Sequence, residues 1–363
     1  MIAKIIQFLG CLVVAGCLCL GNRANATDLS ALTRAAITVK APDKVLLVAV
    51  TSAGQRLVAV GVHGVIVYSD DSGSTWSQAK VPVDVTLTAV RFANAQDGWA
   101  VGHYGVVLHS TDGGLTWQKQ LDGIQVNQMT MVTAQAAVAA NDPSAGAPRA
   151  IERADHFMAG GPENPFLAIL ASDANNVMAF GAYRMTEKST DGGKDWLDWN
   201  LHVGDPISHN LYDVIRVGTD IYVVGEAGSV YRSTDDGASF PAVTVPAQST
   251  LFVVLPTGDG GVFTCGVAGL AFRSADNGQS WTPVNFNTTS NLTAASVLSS
   301  GAIIVGNESG AIAISTDHAK TFSALPGFQP MEIFGLTQAE NGDVVAVGSA
   351  GVIVIPAKEF PQS

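Results

Sequence analysis

The sequence is poor in charged residues and in cysteine. Charged residues make up 14% of the 363 residues, and 19 Lys and Arg are outnumbered by 31 Asp and Glu, which gives a net charge of −12. The basic residues do not cluster, and nucleic-acid binding requires a basic surface, so we expect no nucleic-acid partner. Three of the 4 cysteines lie within the first 19 residues. The remaining Cys265 therefore cannot form an intrachain disulfide, and its apolar strand favours a buried structural thiol.

The first 26 residues have the pattern of a secretory signal peptide. Lys4 precedes an apolar stretch over 5–20, and small residues at 24–26 form a cleavage site. The run VAGC ending at Cys17 fits an alternative, a lipoprotein lipidated at that cysteine, and an uncleaved inner-membrane anchor is a third possibility. All three predict that residues 27–363 lie outside the cytoplasm, in a bacterial periplasm and peripheral to the membrane.

One pattern, Ser-x-Asp-x-Gly-x-Thr/Ser-Trp/Phe, recurs six times. Most copies lie 41 residues apart, as Ser69 and Ser110 do, and self-similarity at such a period indicates a repeat architecture. Asp accepts backbone N–H groups in turns and Gly supplies positive φ, so each box predicts a tight hairpin rather than an active site. The predicted structural aspartates are Asp71, Asp112, Asp191, Asp235, Asp276 and Asp317.

A second repeat precedes the boxes and consists of an apolar strand ending in Gly, a short turn and another apolar strand. Seven such hairpins occur, one more than the boxes, and a further apolar strand precedes each hairpin. Seven units of four strands predict an all-β, seven-bladed propeller over residues 27–363. The seventh unit lacks a box, and Ala35–Ala41 has strand character. We expect this N-terminal strand to close blade seven as its outer strand, because an open edge invites aggregation.

The repeat is interrupted between the second and third boxes, which are 79 residues apart. The additional residues, about 124–165, contain two segments of helical character, 126–140 and 149–158, separated by a Pro/Gly/Ser break. In an up-and-down sheet, blade connections lie on the face opposite the boxes. We therefore expect a helical insertion between blades two and three that projects from that face and can be removed without unfolding the propeller.

The face that bears the insertion is the predicted binding surface. Its turns differ from blade to blade, and function often resides on loops displayed by a rigid scaffold. The alternative is that these polar side chains are ordinary solvated turn residues. The predicted partner-binding residues are His63, His103, Tyr104, Tyr183, Arg184, His209, Glu226, Asn307, Glu308, Arg149, Arg153 and Phe157.

No catalytic residue, metal site or cofactor is predicted. Glu226 and Glu308 could form the carboxylate pair of a glycosidase, but no spacing supports that pairing. His63, His103 and His109 lack the spacing of metal ligands. We expect a non-catalytic protein that is itself monomeric.

Three segments resemble known propeller families. The boxes resemble the Asp-box, or bacterial neuraminidase, repeats of sialidases, although the sialidase Arg-Ile-Pro segment is absent and sialidases have six blades. Residues 97–120, DGWAVGHYGVVLHSTDGGLTWQKQ, resemble the photosystem II stability and assembly factors, seven-bladed lumenal propellers without known catalysis. Residues 154–196, which include the run GGPENPFL, are similar to the proteobacterial branch of that family.

The last resemblance implies a function, because members of that branch are often encoded beside resistance–nodulation–division type transporters. It implies a periplasmic scaffold or accessory factor for an inner-membrane complex of that type. Two alternatives stay open, since fold kinship alone does not transfer function. One is a photosystem II assembly factor in a phototroph, and the other is a sialidase-like glycosidase or carbohydrate-binding propeller.

Overall fold

The computed structural model describes residues 29–140, 147–326 and 331–360. The predicted signal peptide, the lipobox at Cys17 and the centre of the insertion lie outside these residues. The strands pair antiparallel in chain order within seven sheets, which confirms the all-β, seven-bladed propeller.

Blades one and two precede the insertion and blade three follows it, and each of the three has four strands. Blade one comprises β1 (Leu47–Ala53), β2 (Arg56–Gly61), β3 (Ile66–Ser69) and β4 (Ser77–Gln78). Blade two comprises β5 (Leu87–Phe92), β6 (Gly98–Gly102), β7 (Val107–Ser110) and β8 (Gln118–Leu121). Blade three comprises β9 (Phe166–Ala171), β10 (Val177–Gly181), β11 (Thr186–Ser189) and β12 (Leu197–Asp198).

The remaining four blades follow without interruption. Blade four comprises β13 (Leu211–Val217), β14 (Asp220–Gly225), β15 (Val230–Ser233) and β16 (Ala242–Val243). Blade five comprises β17 (Leu251–Pro256), β18 (Val262–Gly266), β19 (Ala271–Ser274) and β20 (Thr282–Pro283). Blade six comprises β21 (Leu292–Val297), β22 (Ile303–Asn307), β23 (Ile312–Ser315) and β24 (Ser323–Leu325), and blade seven β25 (Ile333–Gln338), β26 (Val344–Gly348) and β27 (Gly351–Ile355). Strand β1 packs against β25 and β26, so blade one meets blade seven and the ring is complete.

The six boxes form the predicted hairpins between third and fourth strands. In the first box, the Asp71 carboxylate accepts hydrogen bonds from the Ser69 hydroxyl at 2.8 Å and from the Thr75 backbone N–H and hydroxyl at 2.8 and 2.6 Å. Gly73 has a φ of +89°, where a Cβ is unfavourable. The sixth box keeps this network around Asp317, even though Ala319 replaces the glycine at a φ of +61°. The boxes are structural turns, and we call the side that carries them the box face.

The glycine that ends nearly every second strand is required by close approach of the backbone. A Cβ on Gly102 would lie 2.2 Å from the Thr86 carbonyl oxygen, and one on Gly266 would lie 2.1 Å from that of Thr250. The next residue donates its N–H to the same carbonyl, as His103 does at 2.9 Å. The chain entering each blade therefore passes directly under this turn. We call the side formed by these turns and by the blade connections the turn face.

The N-terminal segment does not close blade seven as predicted, which corrects the sequence-based expectation. Within the described residues blade seven has three strands, and Ala35–Ala41 has no strand structure. The segment is instead fastened to blade one and the connection to blade two: Arg34 pairs with Asp84 at 2.7 Å, and the backbone N–H of Asp84 donates to the carbonyl of Ala31. Leu32, 3% exposed, is buried there as well. Burial of Leu32 and the ion pair thus determine the path of the N-terminal segment, which its strand propensity did not predict.

Aromatic side chains fill the wedges between adjacent blades. The aromatic residue of each box packs toward the preceding blade, as Trp76 does against Val345 and Val347 of blade seven. Blade seven has no box, and Phe360 takes the corresponding place, 7% exposed, in the core between blades six and seven. Burial of such a ring stabilises by about 2–3 kcal/mol. The wedge is therefore completed from beyond β27 without a box.

The insertion forms two helices, α1 (Gly123–Ala139) and α2 (Ala147–Gly160), as predicted. Helix α1 begins at a capping box, in which Asp122 accepts from the Gln125 backbone and the Gln125 side chain accepts from the Asp122 N–H. Helix α1 packs on the turn that contains His103, so the insertion lies on the turn face. No helix within the described ranges is both long and apolar enough to span a membrane.

Candidate binding face

The insertion is anchored in the core of the propeller. Phe157 of α2 and Val126 of α1 are 1% and 0% exposed and share a hydrophobic cluster with Trp99 and Phe166. The side-chain amide of Asn127 donates to the Phe157 carbonyl at 3.0 Å. Because these side chains complete the core between blades two and three, the expectation that the insertion can be removed without unfolding the propeller is not supported.

Two carboxyl groups face each other in the blade beneath the insertion. Glu187 of β11 pairs in register with Asp198 of β12, and the exposed fractions of the two residues are 0% and 9%. Neither carboxyl oxygen of Glu187 has a hydrogen-bond partner. Burial, with a smaller contribution from Asp198, raises the pKa of Glu187 well above its usual value. Burial also raises the pKa of Asp198, which accepts from the Asn200 N–H at 2.9 Å.

Asn200 links this pair to the insertion. Its side-chain oxygen accepts from the Thr186 N–H at 2.7 Å, and its amide group donates to Asp198 at 3.1 Å and to Thr130 of α1 at 3.4 Å. Arg153 of α2 is partly buried nearby, where burial lowers its pKa and the charge of Asp198 opposes the shift. A polar network thus runs from β11 through β12 into both helices.

A second polar group organises the connection between blades three and four. Asp205, 1% exposed, accepts from the His209 ring at 3.0 Å and from the Ile207 N–H at 3.1 Å. The Arg184 guanidinium donates to the carbonyls of Asp205 and Val203. Burial lowers the pKa of Arg184 to about 10, a shift to which the charge of Arg153 adds. This loop is therefore held from both sides, and Ile207 at its tip is 74% exposed.

The structure brings most of the predicted residues to the turn face, but it buries three of them. Arg184 and Asn307 are 8% and 6% exposed, and their side chains form hydrogen bonds with backbone groups. The Asn307 side chain accepts from the N–H groups of Ser309 and Ala311. Phe157 belongs to the core. The expectation that these three residues form contact surface is corrected, because the turns and helix that carry them close over their side chains.

The other predicted residues differ in accessibility. The His63 side chain is 62% exposed and lies 2.9 Å from Asp84, whereas burial lowers the pKa of His103. Tyr183 is 40% exposed, and its ring is 6.1 Å from that of Phe157. Arg149 is exposed, and Arg153, Tyr104 and His209 are partly buried. Their role in binding stays a prediction.

The carboxylates considered for glycosidase chemistry are not neighbours in the ring. Glu226 follows β14 of blade four and accepts from the Asn210 N–H at 3.2 Å. Glu308 follows β22 of blade six and accepts from the backbone and side chain of Asn291 at 3.0 and 2.9 Å. Each carboxylate tethers the connection entering its own blade. Among the described side chains, no three His, Cys, Asp or Glu residues come together as a metal site.

The buried carboxyl pair was not identified from the sequence, although a signal for it exists. The residue at the position of Glu187 in the third strands of blades one, two, four, five and six is apolar or aromatic, namely Val67, Leu108, Tyr231, Phe272 and Ala313. Comparison of the repeats at this position would have marked Glu187 as a buried exception. Its pairing with Asp198 depends on strand register, which the repeat pattern alone does not show.

By sequence, the first third of the chain is similar to a known family. The family model described as photosynthesis system II assembly factor YCF48 matches residues 29–142. No curated protein matches. The resemblance to photosystem II assembly factors drawn from residues 97–120 is confirmed at this level, whereas the branch associated with transporters stays a prediction.

By fold, the whole propeller is similar to solved structures. "YCF48 bound to D1 peptide" matches with a TM-score of 0.63 and 16% identity, covering 88% of this chain and 95% of that one. YCF48 from Cyanidioschyzon merolae matches with a TM-score of 0.61 and 14% identity, covering 87% and 96%. An enzyme, streptogramin B lyase, is comparably similar, with a TM-score of 0.64, 12% identity and coverage of 87% and 94%. These likenesses establish the fold and leave the function to be argued from the site.

Proposed function

We propose that this protein is a non-catalytic periplasmic scaffold that binds an inner-membrane protein complex through its turn face. The partner proposed here is a transporter of the resistance–nodulation–division type, for which the protein serves as an assembly or accessory factor. The YCF48 family match supports an assembly-factor role, and one similar propeller is described as bound to a peptide. The similarity of residues 154–196 to the transporter-associated branch supports the choice of partner.

The observation that carries the proposal is the exposed surface of α1. Its sequence, GIQVNQMTMVTAQAAVA, contains no charged residue, in a chain whose net charge is −12. Ile124, Val132 and Val138 are 40%, 65% and 47% exposed. Depletion of charge and exposure of apolar side chains are typical of the centre of a protein–protein interface. The helix is held rigidly by Val126 and Asn127, so this surface is presented in one orientation.

The alternatives use the same fold in other ways. A photosystem II assembly factor would also bind a protein through this face, and only the identity of the partner separates it from the proposal. A glycosidase would need two carboxyl groups on either side of a sugar. Glu226 and Glu308 bond to the backbone of different blades, and Glu187 and Asp198 lie buried beneath the insertion. These positions favour the scaffold.

The test compares two exposed apolar residues, one on α1 and one beside blade one. Val132→Asp charges the α1 surface, and Ile37→Asp, at a residue 43% exposed whose carbonyl accepts from the Gln78 side chain of β4, is the control. Tagged wild-type protein purified from native membranes should co-elute with a transporter subunit of the proposed type, identified by mass spectrometry. Val132→Asp should lose this partner and Ile37→Asp should keep it, with both variants unfolding at the wild-type urea concentration. Retention of the partner by Val132→Asp would contradict the role of α1, and purification without a membrane partner would contradict the scaffold.

A further inference from the structure

The central channel has a feature that all seven blades share. In every blade, the pairing between the first and second strands shifts register at the second residue of the first strand. That residue therefore lies in a β-bulge. Bulges redirect side chains and are frequent beside functional sites. The bulged residues all line one cavity, and we call them the channel ring: Val48, Thr88, Leu167, Tyr212, Phe252, Thr293 and Phe334.

The channel ring presents an apolar surface with one aromatic side. Tyr212 and Phe252 meet edge to face with their centroids 5.3 Å apart, and Phe334 lies on the same ring two blades beyond Phe252. The hydroxyls of Thr88 and Thr293 donate to carbonyls of the following blades at 2.7 and 2.5 Å. Their hydrogens are therefore used in joining blades. The cavity has a volume of about 220 Å³, smaller than the roughly 300–1,000 Å³ of drug-sized pockets.

A cation lies deeper in the same channel. Arg91 is three residues beyond Thr88 on β5, so the two Cα atoms are at most about 10 Å apart along the strand. Its side chain is 42% exposed, donates to the Val90 carbonyl at 3.2 Å and lies 3.8 Å from the Asp213 carboxylate. That carboxylate accepts from the backbone N–H groups of Val214 and Val254 at 2.9 and 3.0 Å. Asp213 is thus committed to blades four and five, and the Arg91 guanidinium retains donors that can face the cavity.

We propose that the channel binds a small organic carboxylate whose apolar body contacts the aromatic side of the channel ring and whose carboxylate is bound by Arg91. Planar guanidinium groups bind carboxylates in a bidentate manner. Because Arg91 lies three residues along the strand from the channel ring, the site suits an acid with a short chain between an aromatic group and its carboxylate. The site is separate from the α1 surface, so it does not depend on the proposed scaffold function.

Calorimetric titration of the full chain without its first 26 residues tests the site. The probe is 4-phenylbutyrate, and 4-phenylbutanol is its uncharged match. Wild-type protein should bind the acid at least about tenfold more tightly than the alcohol, since one charge-assisted pair contributes about 1.4 kcal/mol or more. Arg91→Gln should abolish that preference while the alcohol still binds. Val48→Trp, which fills the channel ring, should abolish binding of both.

The matched control is Arg216→Gln, at a partly exposed arginine that pairs with Asp236 at 2.7 Å near the fourth box. It should bind like wild type. Urea unfolding of each variant shows whether the propeller is intact. Absence of saturable binding of 4-phenylbutyrate by wild-type protein overturns the proposal, as does a preference for the acid that persists in Arg91→Gln.

Discussion

Replacement of the buried Glu187 should make the protein more stable, and the gain should grow with pH. A carboxyl group that is 0% exposed and has no hydrogen-bond partner folds in its neutral form. Its pKa in the folded protein is raised well above the ordinary value of 4.5. The stability associated with the neutral carboxyl is fully present below pH 4.5 and is lost as the pH rises toward the folded-state pKa.

The size of this effect follows from proton linkage. Each pH unit between the unfolded and folded pKa values costs about 1.4 kcal/mol of unfolding free energy. Wild-type protein should therefore lose stability relative to Glu187→Leu as the pH rises above about 5, by up to about 1.4 kcal/mol for each pH unit below the folded-state pKa. The leucine also removes an unsatisfied buried polar group, which is worth about 1–3 kcal/mol at any pH.

Urea unfolding followed by tryptophan fluorescence at several pH values measures both terms. Glu187→Gln cannot ionise but keeps a polar group, so it should show the pH-dependent gain and little of the constant gain. The reciprocal variant Leu108→Glu places a carboxyl at the equivalent position of blade two, also 0% exposed, and should be destabilised increasingly as the pH rises. A difference between wild type and Glu187→Leu that stays constant from about pH 5 to about pH 7 would refute the reasoning.

Three further outcomes are expected. Gly102→Ala should lower the free energy of unfolding in urea by about 1–3 kcal/mol, because its Cβ would lie 2.2 Å from the Thr86 oxygen. Gly160→Ala is the control, since its Cβ would have no atom within 4 Å. Equal urea midpoints for the two variants would contradict the close approach at Gly102. Hydrogen bonds from Ser239 and Ser280 lower the pKa of Asp235 and of Asp276 to about 2 from 3.8. The stability that these two boxes contribute is therefore present above pH 3.8 and lost as the pH falls toward 2. An acid titration followed by tryptophan fluorescence should show unfolding between these two pH values, and equal urea midpoints at both would contradict the prediction. Phe157→Ala should cost about 3–5 kcal/mol, whereas Met158→Ala, at a residue 50% exposed, should cost little; similar urea midpoints for both variants would show that α2 is not anchored in the core.

Much of the fold was predictable because its signals are local. The boxes are hairpins whose aspartate, glycine and hydroxyl residues interact within a few positions, as Ser69, Asp71 and Thr75 do. The seven repeated hairpins that precede them gave the number of blades, and the break in the period of the boxes gave the place of the insertion. The candidate face followed from topology alone, since turns alternate between the two faces of an up-and-down sheet.

The errors arose where local character does not select a partner. Ala35–Ala41 alternates like a strand, but Leu32 and Arg34 fasten the preceding chain to blade one and its connection. Phe157 lies on a helix whose polar residues suggested an exposed surface, yet its side chain packs in the hydrophobic core. Glu187 was not identified, although the equivalent residues of five other blades are apolar or aromatic, and only the register of β11 and β12 shows that it faces another acid.

The sequence by itself determined the seven repeating units, the boxes and the position of the insertion, because each depends on residues close together in the chain. Only the tertiary structure decided which side chains of the turn face are accessible and which are buried beneath the helices. It alone decided how seven bulged residues from seven blades line one channel together with Arg91. Such a juxtaposition depends on closure of the ring, to which residues almost 290 positions apart contribute, as Val48 and Phe334 do.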